Sequence, residues 1–440
     1  MTSGVSESET AEPAFDGIAI EYEARDGSIS KRLVTPTAIN TVTREAETLS
    51  GDLRGEWLRS YLRGIRPTVE ATKSPSVRTV ELFCGPGGLA LGFSEACREL
   101  GSRMESEAAC DQDAGAVQVY AANHRTKVRS TMSASQLIDY QIKGVADAAK
   151  YVYEPEMIEE SWASLVGKVD AVLAGPPCQG HSNLNNHTRR TDRRNELYFT
   201  VPATAIALGA DVVIIENVPA VVHDRSQVVR TTEFLLRDHG YYVETGVLSA
   251  VKMDWPQTRQ RFFMVARRSA PPLPLAAVQA GLASAEARSL MWAIGDLQDA
   301  PADHKLNVDV ELSEENRRRI DYLFDHDLFD LPNSERPECH QDGTTYQSVY
   351  GRLHVEKPAP TLTTGFMTPG RGRYIHPTRR RTLTPWEAAR LQGFPDTYDF
   401  FPDPKNPPTK VKLTKWIGDA VPMPLGYAAG LSALGNGWSR

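Results

Sequence analysis

The chain has few cysteines for its length, no long apolar run and no overall excess of positive charge. Its five cysteines, Cys84, Cys97, Cys110, Cys178 and Cys339, contain no CxxC pair, and an odd count without paired spacing argues against a disulfide framework and for a reducing compartment. Cys339-His340 stands alone and reads as incidental rather than as half of a metal site. The N-terminus lacks a basic stretch followed by an apolar core, and no segment approaches the ~20 apolar residues of a membrane span. A soluble, cytoplasmic protein with no membrane partner is expected. The net charge of -7 lacks the global basic footprint common in nucleic-acid-binding domains. That class is not excluded, because Arg189-Arg190-Thr191-Asp192-Arg193-Arg194, Arg317-Arg318-Arg319 and the stretch from Arg371 to Arg381 are locally basic. Each of these alone reads as a solvated face.

With 440 residues, 41% hydrophobic and 24% charged, the chain suits a packed large domain plus a smaller one. Residues 1–75 read as an N-terminal extension of no assigned function, partly disordered in its Ser/Glu-rich start from Thr2 to Pro13, with apolar alternation from Gly17 to Val34 and a helix from Leu53 to Ile65. From Arg78 short apolar runs alternate with helical patterns, the signature of a parallel βα sheet. The runs are Thr79 to Phe83, Asp170 to Ala174, Asp211 to Ile215, Tyr241 to Leu248 and Arg261 to Val265, and Leu89, Phe93, Cys97 and Leu100 recur at helical spacing. Pro271-Pro272-Leu273-Pro274 marks a boundary. Beyond it the rhythm is lost, with a helix near Ser313 to Phe324, until Thr384-Pro385-Trp386-Glu387 opens a helix with a capping box that Gly393 and Pro395 end.

Four strand ends carry candidate chemistry. Gly85-Pro86-Gly87-Gly88 follows the first strand and opens a helix, where backbone N–H groups suit a nucleotide-like cofactor or simply form a turn; no P-loop Lys-Ser/Thr follows. Asp111 and Asp113 follow Ala108-Ala109-Cys110, where a carboxylate can hold a ribose diol or merely face solvent. Gly175-Pro176-Pro177-Cys178 delivers a thiol to the C-terminal edge of the sheet, where ligands bind in α/β folds. Glu216-Asn217-Val218 places a carboxyl at another strand end, a general acid or base if burial raises its pKa. Gln257-Thr258-Arg259-Gln260-Arg261 precedes the last strand, so alternation sends Arg259 and Arg261 to one side, either as an edge pair or as stabilisers of a thiolate and an anionic group.

In this order, and with Arg390-Leu391-Gln392-Gly393-Phe394-Pro395 and Gly418-Asp419-Ala420-Val421-Pro422, these blocks resemble the signature of the DNA (cytosine-5) methyltransferase family from about Arg78 to the C-terminus. Asp192, Arg194, Asn195 and Leu197 resemble its D-x-R-N-x-L, and Ala293 to Leu297 a segment after QxRxR. The resemblance implies an α/β fold: a Rossmann-like S-adenosylmethionine-dependent methyltransferase domain, residues 76–267 plus 375–440, and a smaller, loop-rich target-recognition domain, residues 268–374. It implies S-adenosylmethionine as cofactor, double-stranded DNA as partner and a flipped cytosine as target. Cys178 becomes the nucleophile at C6, Glu216 the donor to N3, and Arg261 with Arg259 the stabilisers. Gln179 and Ser182 fall in the loop that meets DNA. Phe83, Gly85, Pro86, Gly87, Asp111, Gln112, Pro177, Leu197, Asp419 and Ala420 are the implied cofactor residues.

Some positions depart from the family pattern: Glu81 for Asp, Gln112 for an aromatic, His181 for Phe, Asp419 for Asn, and no evident acid near Ser130 to Ser135 before a long insert. The rival readings are a tRNA cytosine-5 methyltransferase, whose Cys-Phe-Thr triplet is absent, and a non-catalytic DNA-binding homologue, which the intact Cys178, Glu216, Arg259 and Arg261 oppose. A monomer, nucleoid-associated and alone or beside a restriction or phage-defence system, is the expected setting.

Overall fold

The computed structural model describes residues 16–46, 51–67, 74–177, 197–301, 303–341 and 348–438. The apolar alternation after Gly17 resolves into an antiparallel meander of β1 (Ala19–Arg25), β2 (Ser28–Val34) and β3 (Ile39–Glu45). Asp26 and Gly27 both take positive φ between β1 and β2, the two-residue hairpin turn whose twist matches that of the strands. Helix α1 (Leu53–Leu62) follows, its first turn capped by the Asp52 carboxylate on the Gly55 N–H. Trp57 of α1 packs with Ile29 and Val42, and the buried Arg44 guanidinium lies over its ring at 4.3 Å. The unit is docked on the body, since Leu33, Tyr61 and Leu62 belong to the main core and Lys31 donates from β2 to Glu99 (2.7 Å) and to the Tyr427 hydroxyl (2.9 Å).

The body is a seven-stranded sheet. Its strands are β4 (Ser76–Leu82), β5 (Arg103–Cys110), β6 (Val128–Ser130), β7 (Ala171–Ala174), β8 (Val212–Asn217), β9 (Tyr242–Ser249) and β10 (Gln260–Arg267), in the order β9-β10-β8-β7-β4-β5-β6. Strands β6, β5, β4, β7 and β8 run parallel, as the βα rhythm predicts. At the far edge β10 is antiparallel to both β8 and β9. Residues 250–259 link β9 to β10 through a single 3-10 turn, too short for the crossover that a parallel return needs.

Both faces of the sheet are buried, and neighbouring residues on a strand alternate between them. Ala171, Leu173, Val212 and Ile214 enter one apolar cluster, while Val172, Ala174, Val213 and Ile215 enter the other. Helices α2 (Gly88–Glu99) and α3 (Ala114–His124) follow β4 and β5, and α4 (Thr200–Leu208) and α5 (Val228–Asp238) flank β8. Of the later helices, α6 (Leu275–Gly281) and α7 (Leu290–Ile294) still add apolar side chains to the first cluster, whereas α8 (Glu314–Asp325) joins Leu331, Val349, Tyr350 and Ile375 in a cluster of its own. The chain then returns through α9 (Pro385–Gln392), α10 (Lys410–Asp419) and α11 (Met423–Leu434). The predicted capping box of α9 is present, with the Thr384 and Glu387 side chains each accepting the other's backbone N–H. Helix α11 lies directly on α2, where a side chain on Gly92 would strike the backbone of Met423 and Tyr427. No helix among the described residues is long and apolar enough to cross a membrane.

The sequence leaves the sheet centre in opposite directions, through β4 to β5 on one side and β7 to β8 on the other. That reversal opens a crevice beyond the strand ends of β4 and β7. It sets Phe83–Gly87 beside Gly175–Pro177.

Two stability predictions follow from buried charge. Removing Lys31 leaves the Glu99 carboxylate buried without its cation, so Lys31→Met is expected to cost about 3–5 kcal/mol in urea unfolding, and Lys31→Met with Glu99→Leu to recover most of it. Burial pushes the Glu81 carboxyl, at the end of β4, up to about 8. Its contribution to stability is therefore full below the unfolded value near 4.5 and is lost as pH rises through about 8. Glu81→Gln, which cannot ionise, should gain on the wild type across that window by an amount on the order of a few kcal/mol, read from unfolding midpoints at successive pH values.

Candidate active site

The turn after β4 is shaped by backbone that few side chains tolerate. Phe83, Gly85 and Gly87 all have positive φ (56°, 52° and 98°). At Gly87 a side chain would also collide with the His124 ring and the Tyr398 hydroxyl, so only glycine serves there. Space beyond Gly85 is open. The Asp111 carboxylate, at the end of β5, accepts the Gly85 N–H (3.0 Å) and the Asp113 N–H (2.9 Å), tying the two strand ends together. Asp113 caps α3 and accepts from the Trp416 indole of α10 (2.9 Å). Behind the turn, His124 Nε2 lies 3.2 Å from both the Gly87 carbonyl and the Tyr398 hydroxyl, and Tyr398 donates to the Pro86 carbonyl. Burial lowers the His124 pKa to about 4, so the ring is neutral at pH 7 and can serve as a hydrogen-bonding wedge.

On the other side of the crevice, Glu216 and Arg261 project from antiparallel neighbours β8 and β10. They form an ion pair of 2.8 Å, mostly shielded from solvent. Burial raises the Glu216 carboxyl above its ordinary value, with Arg261 and Arg259 opposing the shift. A side chain on Gly175 would lie 3.5 Å from Glu216 Oε2, so the carboxyl stands beside the segment that enters Cys178. Asn217 donates to the Pro176 carbonyl (3.2 Å). Tyr198 is buried near Glu216, and its phenol oxygen has no hydrogen-bond partner among the described residues.

The predicted residues do not all share one surface. Arg259 precedes β10, so strand alternation does not govern it. Its buried guanidinium donates to the carbonyls of Leu362 (2.6 Å) and Gly418 (3.0 Å), while Arg261 takes Glu216. Asp419 is exposed and pairs with Lys415 on the surface of α10 (3.2 Å), whereas Ala420 is buried beside Gly88. Gln112 is exposed, and Pro177 and Leu197 are half-buried. Cys178, Gln179 and Ser182, with Asp192, Arg194 and Asn195, lie outside the described residues.

Several positioning residues sat inside the motifs without an assigned role. The Gln392 amide donates to the carbonyls of Ile417 (2.6 Å) and Ala420 (3.1 Å), and its oxygen accepts from Gln257 (3.1 Å). Arg390 reaches Asp296, the Ala293 carbonyl and Asp396. The only advance signal was that Asn217, Gln257, Arg390 and Gln392 are polar residues inside the signature blocks.

Residues 77–433 match the model of the C-5 cytosine-specific DNA methylase family. The Type II methyltransferase M1.BsuMI of Bacillus subtilis (strain 168) is 40% identical over 379 residues, 86% of this chain and 84% of that protein. The Type II methylase M.HgiDII of Herpetosiphon aurantiacus is 28% identical over 358 residues, 79% of this chain and 92% of that protein. The crystal structure of a DNA modification methyltransferase encoded within an E. coli prophage overlays with a TM-score of 0.51 at 21% identity, covering 82% of this chain and 99% of that one. That likeness is one of fold. The Rossmann-like sheet, the strand-end residues and the match across most of the sequence place the chain in the C-5 cytosine-specific DNA methylase family, as a DNA (cytosine-5)-methyltransferase.

Proposed function

We propose that the protein transfers the methyl group of S-adenosylmethionine to C5 of a cytosine flipped out of a specific duplex DNA site, through a covalent bond between Cys178 and C6. The observation that carries this reading is the Glu216–Arg261 pair at 2.8 Å beside Gly175–Pro177, an acid and a cation at the point where the chain leads into the thiol.

The residues of the crevice fit the cofactor. Gly85 leaves open space before the β4 turn, the Asp111 carboxylate stands at the end of β5 where a ribose diol would lie, and Glu81 keeps a buried oxygen without a partner among the described residues. Phe83, Pro86, Gly87, Pro177, Leu197 and Ala420 complete the cofactor pocket, with Gln112 on its solvent side, while Asp419 stays outside it on the surface of α10. When bound, the cofactor supplies an electrophilic methyl on a sulfonium.

Carbon 5 of cytosine is too weak a nucleophile to take that methyl unaided. Attack of the Cys178 thiolate on C6 pushes the ring electrons toward C5 and N3. Glu216, whose carboxyl burial raises above its ordinary value, donates its proton to N3, and Arg261 holds the carboxylate that results. After C5 is methylated, loss of its proton expels Cys178. Asn217 fixes the Pro176 carbonyl and so the approach of the thiol, while Arg259 acts at one remove by holding the turn at Gly418. Gln179 and Ser182 contact the DNA. Residues 268–374 carry target recognition, and residues 76–267 with 375–440 carry the chemistry. The setting is a modification enzyme beside a restriction or phage-defence system, in the nucleoid-bearing cytoplasm.

Cys178→Ala is expected to abolish methyl transfer to duplex DNA while binding of S-adenosylhomocysteine, followed by calorimetry, changes no more than a few-fold. Methylation surviving in that variant would overturn the covalent mechanism. Glu216→Gln should keep the fold and lower kcat by roughly 10²–10⁴, measured with labelled S-adenosylmethionine at saturating DNA. Bisulfite sequencing of DNA from expressing cells would read out the target.

A further inference from the structure

Behind the turn after β4, on the side away from the crevice, a cavity of about 170 Å³ lies between the N-terminal unit and the body. A single water needs only ~10–15 Å³ of such space, so a polyatomic ion with water fits. Its walls are Arg44 and Ile65–Pro67 from the N-terminal unit, Ser94, Glu95 and Arg98 from α2, and Asn123, His124 and Tyr398 at its inner end. None of the implied cofactor residues lines it.

The charges on this wall do not balance. Among the described residues three arginines and one glutamate line it, and Glu95 already pairs with Arg98 and, at 3.7 Å, with Arg44. Arg44 is almost fully buried, with one terminal nitrogen on the Trp57 carbonyl (3.0 Å) and the other only 3.7 Å from Glu95. Arg66 is exposed at the mouth and pairs with no carboxylate among the described residues. His124 adds no charge, since burial keeps it neutral. A buried guanidinium without full compensation is costly, and an oxyanion satisfies it through charge-assisted hydrogen bonds.

We propose that this cavity is a binding site for a small oxyanion of the phosphate class, held by Arg44, Arg66 and Arg98 at the joint between the N-terminal unit and α2. The ion bridges groups from β3, the segment after α1, and α2, and so fastens the unit to the body. It rests against His124 and Tyr398, the two side chains that hold the Gly87 and Pro86 carbonyls from behind.

The test is calorimetric titration of the full chain with inorganic phosphate at constant ionic strength, with chloride as the balancing anion. One saturable phosphate per chain is expected. Arg66→Gln, at an exposed position, should leave the unfolding temperature in phosphate-free buffer unchanged and weaken phosphate binding roughly tenfold or more. Ser94→Phe, which fills the cavity without altering charge, should weaken it likewise. Absence of saturable phosphate binding, or equal binding in wild type and both variants, overturns the proposal.

Discussion

The hydrogen bonds from the Gln392 amide to the carbonyls of Ile417 and Ala420 fix the turn at the end of α10, and much of the site depends on that turn. Buried carbonyls must find donors. Here the donors come from segments far apart in the chain, because Arg259 reaches the Gly418 carbonyl and Gln257 reaches Gln392. The blocks at Gln257, Arg390 and Gly418 are thus parts of one hydrogen-bonded joint. Arg390 extends it to Asp296 and Asp396, and Trp416 carries it to Asp113 and the start of α3. The turn after β4 is held at the far end of this chain of contacts through Asp111.

The same constraint explains the division of labour between the two arginines. A strand-end carboxyl with only a buried environment would be neutral and inert, and one with two close cations would stay ionised. Arg261 touches Glu216 while Arg259 is committed to carbonyls. Burial therefore still prevails, and the carboxyl remains above its ordinary value.

Much of this was legible in the residues. Short apolar runs announced five of the seven main strands, and the Thr384 to Glu387 pattern announced a helix start down to its cap. The strand-end positions of Glu216 and Asp111 followed from where those runs stop. What escaped was set by distance in the chain. Nothing near Arg259 indicates that Leu362 and Gly418 will take its guanidinium, and nothing near Gln392 indicates Ile417. The direction of the edge strand was not legible, because the run at Arg261 looks the same in either direction and only the short link after β9 decides it. The N-terminal residues up to 75 seemed detached because Lys31, the residue that docks them, reads as an ordinary surface lysine until Glu99 and Tyr427 meet it.

Local charge runs misled in the opposite sense. The clusters at Arg317–Arg319 and Arg371–Arg381 look like free basic surface. Arg318 pairs with Glu335, Arg319 with Glu315, Arg373 with Asp330, and Arg380 with Asp321 and Asp325. The acidic balance of the whole chain is partly the complement of these arginines. The Arg380 pairs are exposed on both sides, and such pairs contribute only about 0–1 kcal/mol.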